Sequence, residues 1–386
     1  MTICSAARDP VWSMVWRHLP DCSTPIYLSE CGNNLAMPDR EMPPVEKKVF
    51  HPYSINLILL VVIGLLSIGV GSIYIPPEAV GRLLLERILG IQAAANLPDT
   101  FTLILFQLRL PHTILLILTG SALATSGAAY QGLFRNPLAD PYLIGVASGA
   151  GVGAVLAMSV EWPENFLRMF SIPASAFAGA ILTVAAVYFL ARSDGFISTS
   201  ALILAGVAIS SFTAALTSFL MLRSNEELRR AIGWLLGGGV MSGWEPVFAM
   251  LPYWLLGSLV LLFSGHVLNV LQFGDEQAKQ LGLPIERVKL ILILAASLTT
   301  AAAVAFAGVI GFIGLIVPHT VRLIWGPDYR RLIRICALAG STSLLAADLI
   351  ARTITAPQTM PVGIITALAG APFFLWVLKR SRSARQ

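Results

Sequence analysis

Apolar residues along this chain gather into long runs separated by short polar breaks. A helix needs about 20 apolar residues to cross the hydrocarbon core of a bilayer. Ten stretches approach that length: residues 55–74, 110–133, 143–160, 174–190, 201–222, 247–263, 288–307, 308–324, 332–350 and 362–378. The seventh and eighth run together, and Gly308 and Gly311 mark the turn that divides them. A membrane β-barrel would instead show short alternating segments. The pattern predicts an all-α polytopic membrane protein with ten transmembrane helices in residues 51–386.

Two polar breaks hold helical pattern of their own. Pro76 and Pro77 open a segment in which Val80, Leu83, Leu84 and Ile88 recur at helical spacing, with Glu78, Arg82 and Glu86 on the other side. This predicts a short helix along the membrane surface. The second segment, residues 225–239, ends in Gly237-Gly238-Gly239. Such a break near a span lets backbone face a cavity. Residues 1–50 differ from the rest. They hold three of the four cysteines, with Pro38, Pro43 and Pro44 in a polar stretch, and no apolar run of signal-peptide length. They predict a poorly ordered cytoplasmic extension, with Met37 or Met42 as an alternative start.

Composition sharpens the class. Charged residues are 12% of the chain and apolar residues 56%, against roughly 25% charge in a soluble domain. That excludes a soluble enzyme, and extensive disorder with it. The net charge of +5 is carried in short loops, so it reads as topology and not as a nucleic-acid surface. With the N-terminus inside, fifteen Lys and Arg flank the spans on the inner side and eight on the outer. The bias places both termini in the cytoplasm.

The dipeptide Gly-Lys is absent, so the chain has no Walker A loop. No H-E-x-x-H or G-x-S-x-G occurs, and the five histidines are scattered. No Cys pair has metal-ligand spacing. Catalysis and a metal site are unsupported. Gly145, Gly149 and Gly153 form a small-residue face suited to close helix packing. Asp348 and Arg352 lie four apart near the end of the ninth span, and His319 follows Pro318 in the eighth. So few buried charges argue against an ion-coupled secondary transporter. The loop at 265–289 is the most polar internal segment. Asp275 and Glu276 begin a short helical stretch that Gly282 and Pro284 end. Composition alone leaves a docking surface and a solvated connector equally open.

Ordered motifs run through the chain: Arg109-Leu110-Pro111, then Asn136-Pro137-Leu138-Ala139-Asp140-Pro141, then Ser198-Thr199-Ser200. Gly274, Ala278, Leu281 and Gly282 follow, then Gly311-Phe312-Ile313-Gly314-Leu315-Ile316-Val317-Pro318-His319. Asp348, Arg352, Pro361, Gly363, Thr366, Gly370, Pro372 and Phe373 complete the set. In these the chain resembles the FecCD-type permeases of ABC importers, which move iron–siderophore complexes, haem or cobalamin. The likeness runs from about residue 55 to 380.

The resemblance implies a ten-span type II importer subunit in the cell inner membrane, paired as a homodimer around an axial pathway. It implies two cytoplasmic ATPase subunits that hold ATP and Mg, and a periplasmic or lipid-anchored substrate-binding protein outside. This chain would bind no cofactor and catalyse no reaction. The 265–289 loop, with Gly274, Asp275, Glu276, Ala278, Leu281 and Gly282, would dock the ATPase. Thr199 and Ser200 would form the inner gate, with Asn136 and Leu138 as a second constriction; an N-cap for the fifth span is the plainer role for Thr199 and Ser200. Arg109 and Arg352 would meet acidic residues of the binding protein, or Arg109 would anchor to headgroups. His112 stands where the cobalamin member has a third docking arginine, which departs from that member's pattern. The expected cargo is an iron complex, siderophore or haem; cobalamin is the alternative.

Overall fold

The computed structural model describes residues 51–383 apart from 72, 74, 91–96, 164–165, 194–195, 223–227, 240 and 357. The expected extension at 1–50 lies outside the described residues, as do 225–227 of the second outer segment. In chain order the helices are α1 (Pro52–Gly69), α2 (Pro77–Leu89), α3 (Asp99–Leu103), α4 (Leu110–Leu133) and α5 (Val146–Met158). Next come α6 (Phe166–Ala191), α7 (Thr199–Leu222), α8 (Leu228–Gly233), α9 (Trp244–Phe263) and α10 (Gly265–Leu271). The last are α11 (Asp275–Gln280), α12 (Ile285–Ala307), α13 (Ile313–Trp325), α14 (Tyr329–Ile354) and α15 (Val362–Ser383). A small antiparallel pair, β1 (Arg192–Ser193) and β2 (Phe196–Ile197), joins α6 to α7.

Each of the ten apolar stretches holds one of these helices. Among the described residues seven helical segments are long and apolar enough to cross a membrane, and α5, α13 and the apolar part of α15 are shorter. The 13 residues of α13 cover about 20 Å at 1.5 Å each, short of the ≈ 30 Å core. The seventh and eighth stretches part at the expected glycines: α12 stops at Gly308, whose φ of 81° and ψ of −172° suit glycine almost alone, and the chain re-enters a helix only after Phe312 at φ 70°. Likewise Gly145, at φ 83°, parts α5 from a 3-10 turn at Pro141–Ile144.

Non-helical backbone at membrane depth needs partners from the protein. The Tyr142 hydroxyl meets both the Ile310 carbonyl at 2.9 Å and the Ile310 N–H at 3.2 Å. The Val309 N–H donates to the Trp234 carbonyl at 3.4 Å. That carbonyl belongs to a second irregular stretch, the π-helical Trp234–Gly238. Both stretches press on the start of α15. A Cβ on Gly308 would overlap the Trp234 carbonyl, and one on Gly363 the Leu236 carbonyl.

At the centre lies α4. Twenty of its 24 residues are buried, so no lipid-facing side is left to it, and α14, α12, α13 and α9 close around it. Gly120 meets Gly340 of α14 and Gly127 meets Gly314 of α13 backbone to backbone, with no room for a Cβ. Hydroxyls stitch the same contacts. Thr300 donates to the Ser126 oxygen at 2.9 Å, Tyr130 and Ser297 share a bond of 2.8 Å, and Ser341 donates to the Ile117 carbonyl at 2.8 Å. Gly149 and Gly153 of α5 seat against Gly179 and Ser175 of α6, the packing role their spacing predicted. The apolar face of α2 closes on protein and not on lipid: Val80 and Leu83 are buried with Ile68, Ile75 and Leu105.

Candidate functional site

Three groups of residues gather at two ends of the bundle. At one end, the chain leaves α9 through α10 and turns at Gly274, whose φ of 105° requires glycine. Asp275 and Glu276 then open α11, where their charge faces the positive end of the helix. Ala278 is fully buried and anchors this short helix: its N–H reaches the Gly274 carbonyl at 2.9 Å, and its carbonyl takes the Leu283 N–H at 3.1 Å. Gly282, at φ 85°, ends the turn. Asp275 pairs with the buried Lys289 of α12 at 2.6 Å. Glu276, Lys279 and Gly282 are exposed. So are Phe273 and Leu281, each about two-thirds exposed. A groove of about 510 Å³ runs beside them, walled by Asp275, Glu276, Lys279, Arg287 and Ser198.

Polar side chains tie this loop to the ends of α4, α13 and α14. Gln272 donates to the Gly132 carbonyl at 2.9 Å. Asn269 donates to Asp328 at 2.7 Å and accepts from the Tyr329 N–H at 2.9 Å. Arg322 donates to Gln131 at 2.9 Å and to the Tyr329 hydroxyl at 3.2 Å. The Asn269 amide, followed by the Arg330 N–H and the charges of Arg330 and Arg331, holds the Asp328 carboxyl below the usual carboxylate range. Sequence reading passed over this network. A polar residue inside an apolar run, Gln131, was the one signal available for it.

The four expected gate residues stand at the same end as α11. Asn136 is exposed, and its side-chain oxygen accepts from the Leu138 N–H at 2.9 Å, which folds the 136–141 turn. Leu138 is exposed as well. Thr199 and Ser200 occupy the first turn of α7, half-buried and exposed respectively. The cap of that helix falls to Ser198, whose hydroxyl accepts from the Ala201 N–H at 3.4 Å. Close seating of Gly206 on Leu143 holds α7 to the turn that Asn136 begins. The exposed side of α7 carries the small residues Ala208, Ser211, Ala215 and Ser218 together with the bulky Leu204, Phe212, Phe219 and Leu222.

At the opposite end of the bundle, Arg109, His112 and Arg352 surround one cavity of about 330 Å³. Their partners differ. Arg109 is buried and caps the end of α1, donating to the Ile68 carbonyl at 2.7 Å, the Gly69 carbonyl at 2.8 Å and the Ile73 carbonyl. Arg352 pairs with Asp348 at 2.7 Å and donates to the Ser67 hydroxyl at 2.9 Å. His112 reaches the other Asp348 oxygen at 3.2 Å. Among the described residues no group of three or more His, Cys, Asp or Glu could hold a metal ion.

The model of the FecCD transport family matches residues 59–380. This chain belongs to that family. Among its relatives is the cobalamin import system permease protein BtuC of Halobacterium salinarum, 48% identical over 75% of this chain and 77% of that protein. Another is the hemin transport system permease protein HmuU of Yersinia pestis, 38% identical over 85% of this chain and 95% of the relative. A solved structure assigned to the metal-chelate type of ABC transporter, in an inward-facing conformation, superposes with a TM-score of 0.71. It is 29% identical and covers 85% of this chain and 98% of that one. As a FecCD family member the chain is a membrane transport protein, and its helices form the permease fold of that neighbour.

Proposed function

We propose that this chain is the membrane-spanning subunit of an inner-membrane ABC importer for an iron complex, siderophore or haem, with ATP hydrolysed on a separate cytoplasmic subunit. The observation that carries the reading is the exposed pair Phe273 and Leu281. They flank α11 beyond the inner ends of the spans, where no acyl chain can cover them, and exposed apolar groups ringed by charge mark a protein contact. The pinned turn at Gly274 and the ties from Gln272 and Asn269 let a push on α11 reach α4, α13 and α14 as one body. Two ATPase copies, holding ATP and Mg, would dock there. Two copies of this chain would meet along the exposed side of α7, and Thr199, Ser200, Asn136 and Leu138 would close the inner mouth of the pathway between them. A periplasmic or lipid-anchored binding protein would dock outside on Arg352 and His112, with Arg109 supporting that surface from beneath. Both termini then lie in the cytoplasm.

Iron is supported by the Yersinia haemin relative, which this chain matches over 95% of its length. A cobalamin cargo is the second reading, favoured by the 48% identity to the Halobacterium protein. The test begins with purification from membranes in mild detergent. A Walker-containing ATPase should co-purify with the chain, and scrambling 275–282 should release it while the chain stays folded. Reconstituted with its binding protein, the complex should import a labelled ferric chelate or haem only with ATP inside. Import of cobalamin alone would select the second reading. Uptake driven by an ion gradient without ATP would refute both.

A further inference from the structure

Between α6, α9 and α12 the outer wall of the bundle opens into a groove of about 850 Å³. Its sides are apolar, with Ile181, Phe189, Leu256 and Leu294 among them, and Arg192 is its one charged lining residue. Arg192 sits at one end, in β1, where α6 leaves the membrane on the inner side. Phe177, at the other end, is fifteen residues back along α6, about 22 Å away at 1.5 Å per residue. One leaflet of hydrocarbon is about 15 Å deep, half of the core. The groove therefore runs from headgroup level past the bilayer midplane. The Ser297 hydroxyl at its floor is already bonded to Tyr130, so the floor offers an acyl chain no competing polar group.

We propose that this groove is a binding site for one phospholipid with an anionic headgroup, its phosphate on Arg192 and an acyl chain between α6, α9 and α12. Arg suits a phosphate through its planar fork of donors. The rim carries bulky apolar side chains, Leu182, Phe189 and Leu190, each 70% exposed, and a second copy of the chain seated there is an outcome that the crosslinking arm of the test reads. The inference rests on the proposed orientation only for naming the inner leaflet.

The test reads bound lipid and needs neither ATP nor transport, so it stands or falls apart from the importer reading. The intact chain, with whatever subunits accompany it, is purified in mild detergent, exchanged into detergent alone, and analysed by native mass spectrometry. Phosphatidylglycerol and phosphatidylcholine are then added back in turn. One phosphatidylglycerol should stay on each copy of the chain and outcompete phosphatidylcholine. Arg192→Gln should weaken phosphatidylglycerol retention about fivefold, the weight of one basic residue near an anionic surface, and Arg192→Lys should restore most of it. Ala185→Phe, which fills the groove, should expel both lipids, with an unchanged melting temperature as the check on folding. No retained phospholipid, equal retention of the two headgroups, or retention unmoved by both Arg192→Gln and Ala185→Phe would overturn the proposal. So would efficient crosslinking of two copies through a cysteine placed at Leu294.

Discussion

Arg109 shows what a single side chain can conceal. Its place before Leu110-Pro111 was legible, and so was an arginine at the mouth of the second span. Its partners were not, because Ile68, Gly69 and Ile73 lie 36 to 41 residues earlier and reach it only through the end of α1. The same holds for His112 and Asp348, 236 residues apart, whereas Asp348 and Arg352 were visible as an i,i+4 pair. Three carbonyls on one guanidinium make Arg109 a fastening for α1. A lysine presents a point charge and cannot fork to them. Arg109→Met should therefore lower stability to unfolding in mixed micelles by about 2–3 kcal/mol, the scale of hydrogen bonds to a charged group, and Arg109→Lys by less. A second residue-scale prediction concerns Asp328. Its carboxyl is depressed in the folded chain, chiefly by Asn269. The stability it contributes is thus complete above the ordinary carboxylate value near about 3.9 and is lost as pH falls through the lower folded value. The difference in melting temperature between wild type and Asp328→Asn should stay flat above about pH 5 and shrink below about pH 4.

Among the elements, the join of α12 and α13 is the most informative. The apolar run gave its length and its two glycines gave a turn, but hydropathy is blind to dihedral angles. It could not reveal that five residues remain non-helical or that Tyr142 and Trp234 supply partners to Ile310 and Val309. The two glycines should answer mutation differently. At Gly308 a side chain meets both a glycine-only conformation and the Trp234 carbonyl. At Gly311 an added Cβ finds open space. Gly308→Ala should lose more than about 1–3 kcal/mol, the range for a strained backbone position. Gly311→Ala should unfold within about 0.5 kcal/mol of the parent. Equal behaviour of the two would mean the break is not set by Gly308. The polar network beside α11 escaped the sequence for a related reason. Asn269, Gln131, Arg322 and Tyr329 come from four helices, and no spacing along one chain segment links them.

For the whole molecule, the exposed side of α7 interleaves small residues with Leu204, Phe212, Phe219 and Leu222. Close helix approach in lipid depends on the small ones, so on the proposed contact along α7 Ser211→Trp should shift the native mass from two copies of the chain to one while leaving helical content unchanged. The interior has a different consequence, one that belongs to synthesis. The central helix α4 carries Thr125, Ser126 and Gln131 in its buried surface. The helices that cover those groups, α12, α13 and α14, begin at Ile285 and end at Ile354, more than 150 residues later in the chain. While the ribosome is still making the segment between, α4 has no proper neighbours. Its hydroxyls and amide must wait against lipid, against the insertion machinery, or against temporary partners. Chains arrested before Ile285 should therefore stay crosslinkable to the translocon through a probe at Ser126, and arrest beyond Ile354 should abolish that crosslink. The last third of the chain thus decides when the first third finishes entering the membrane.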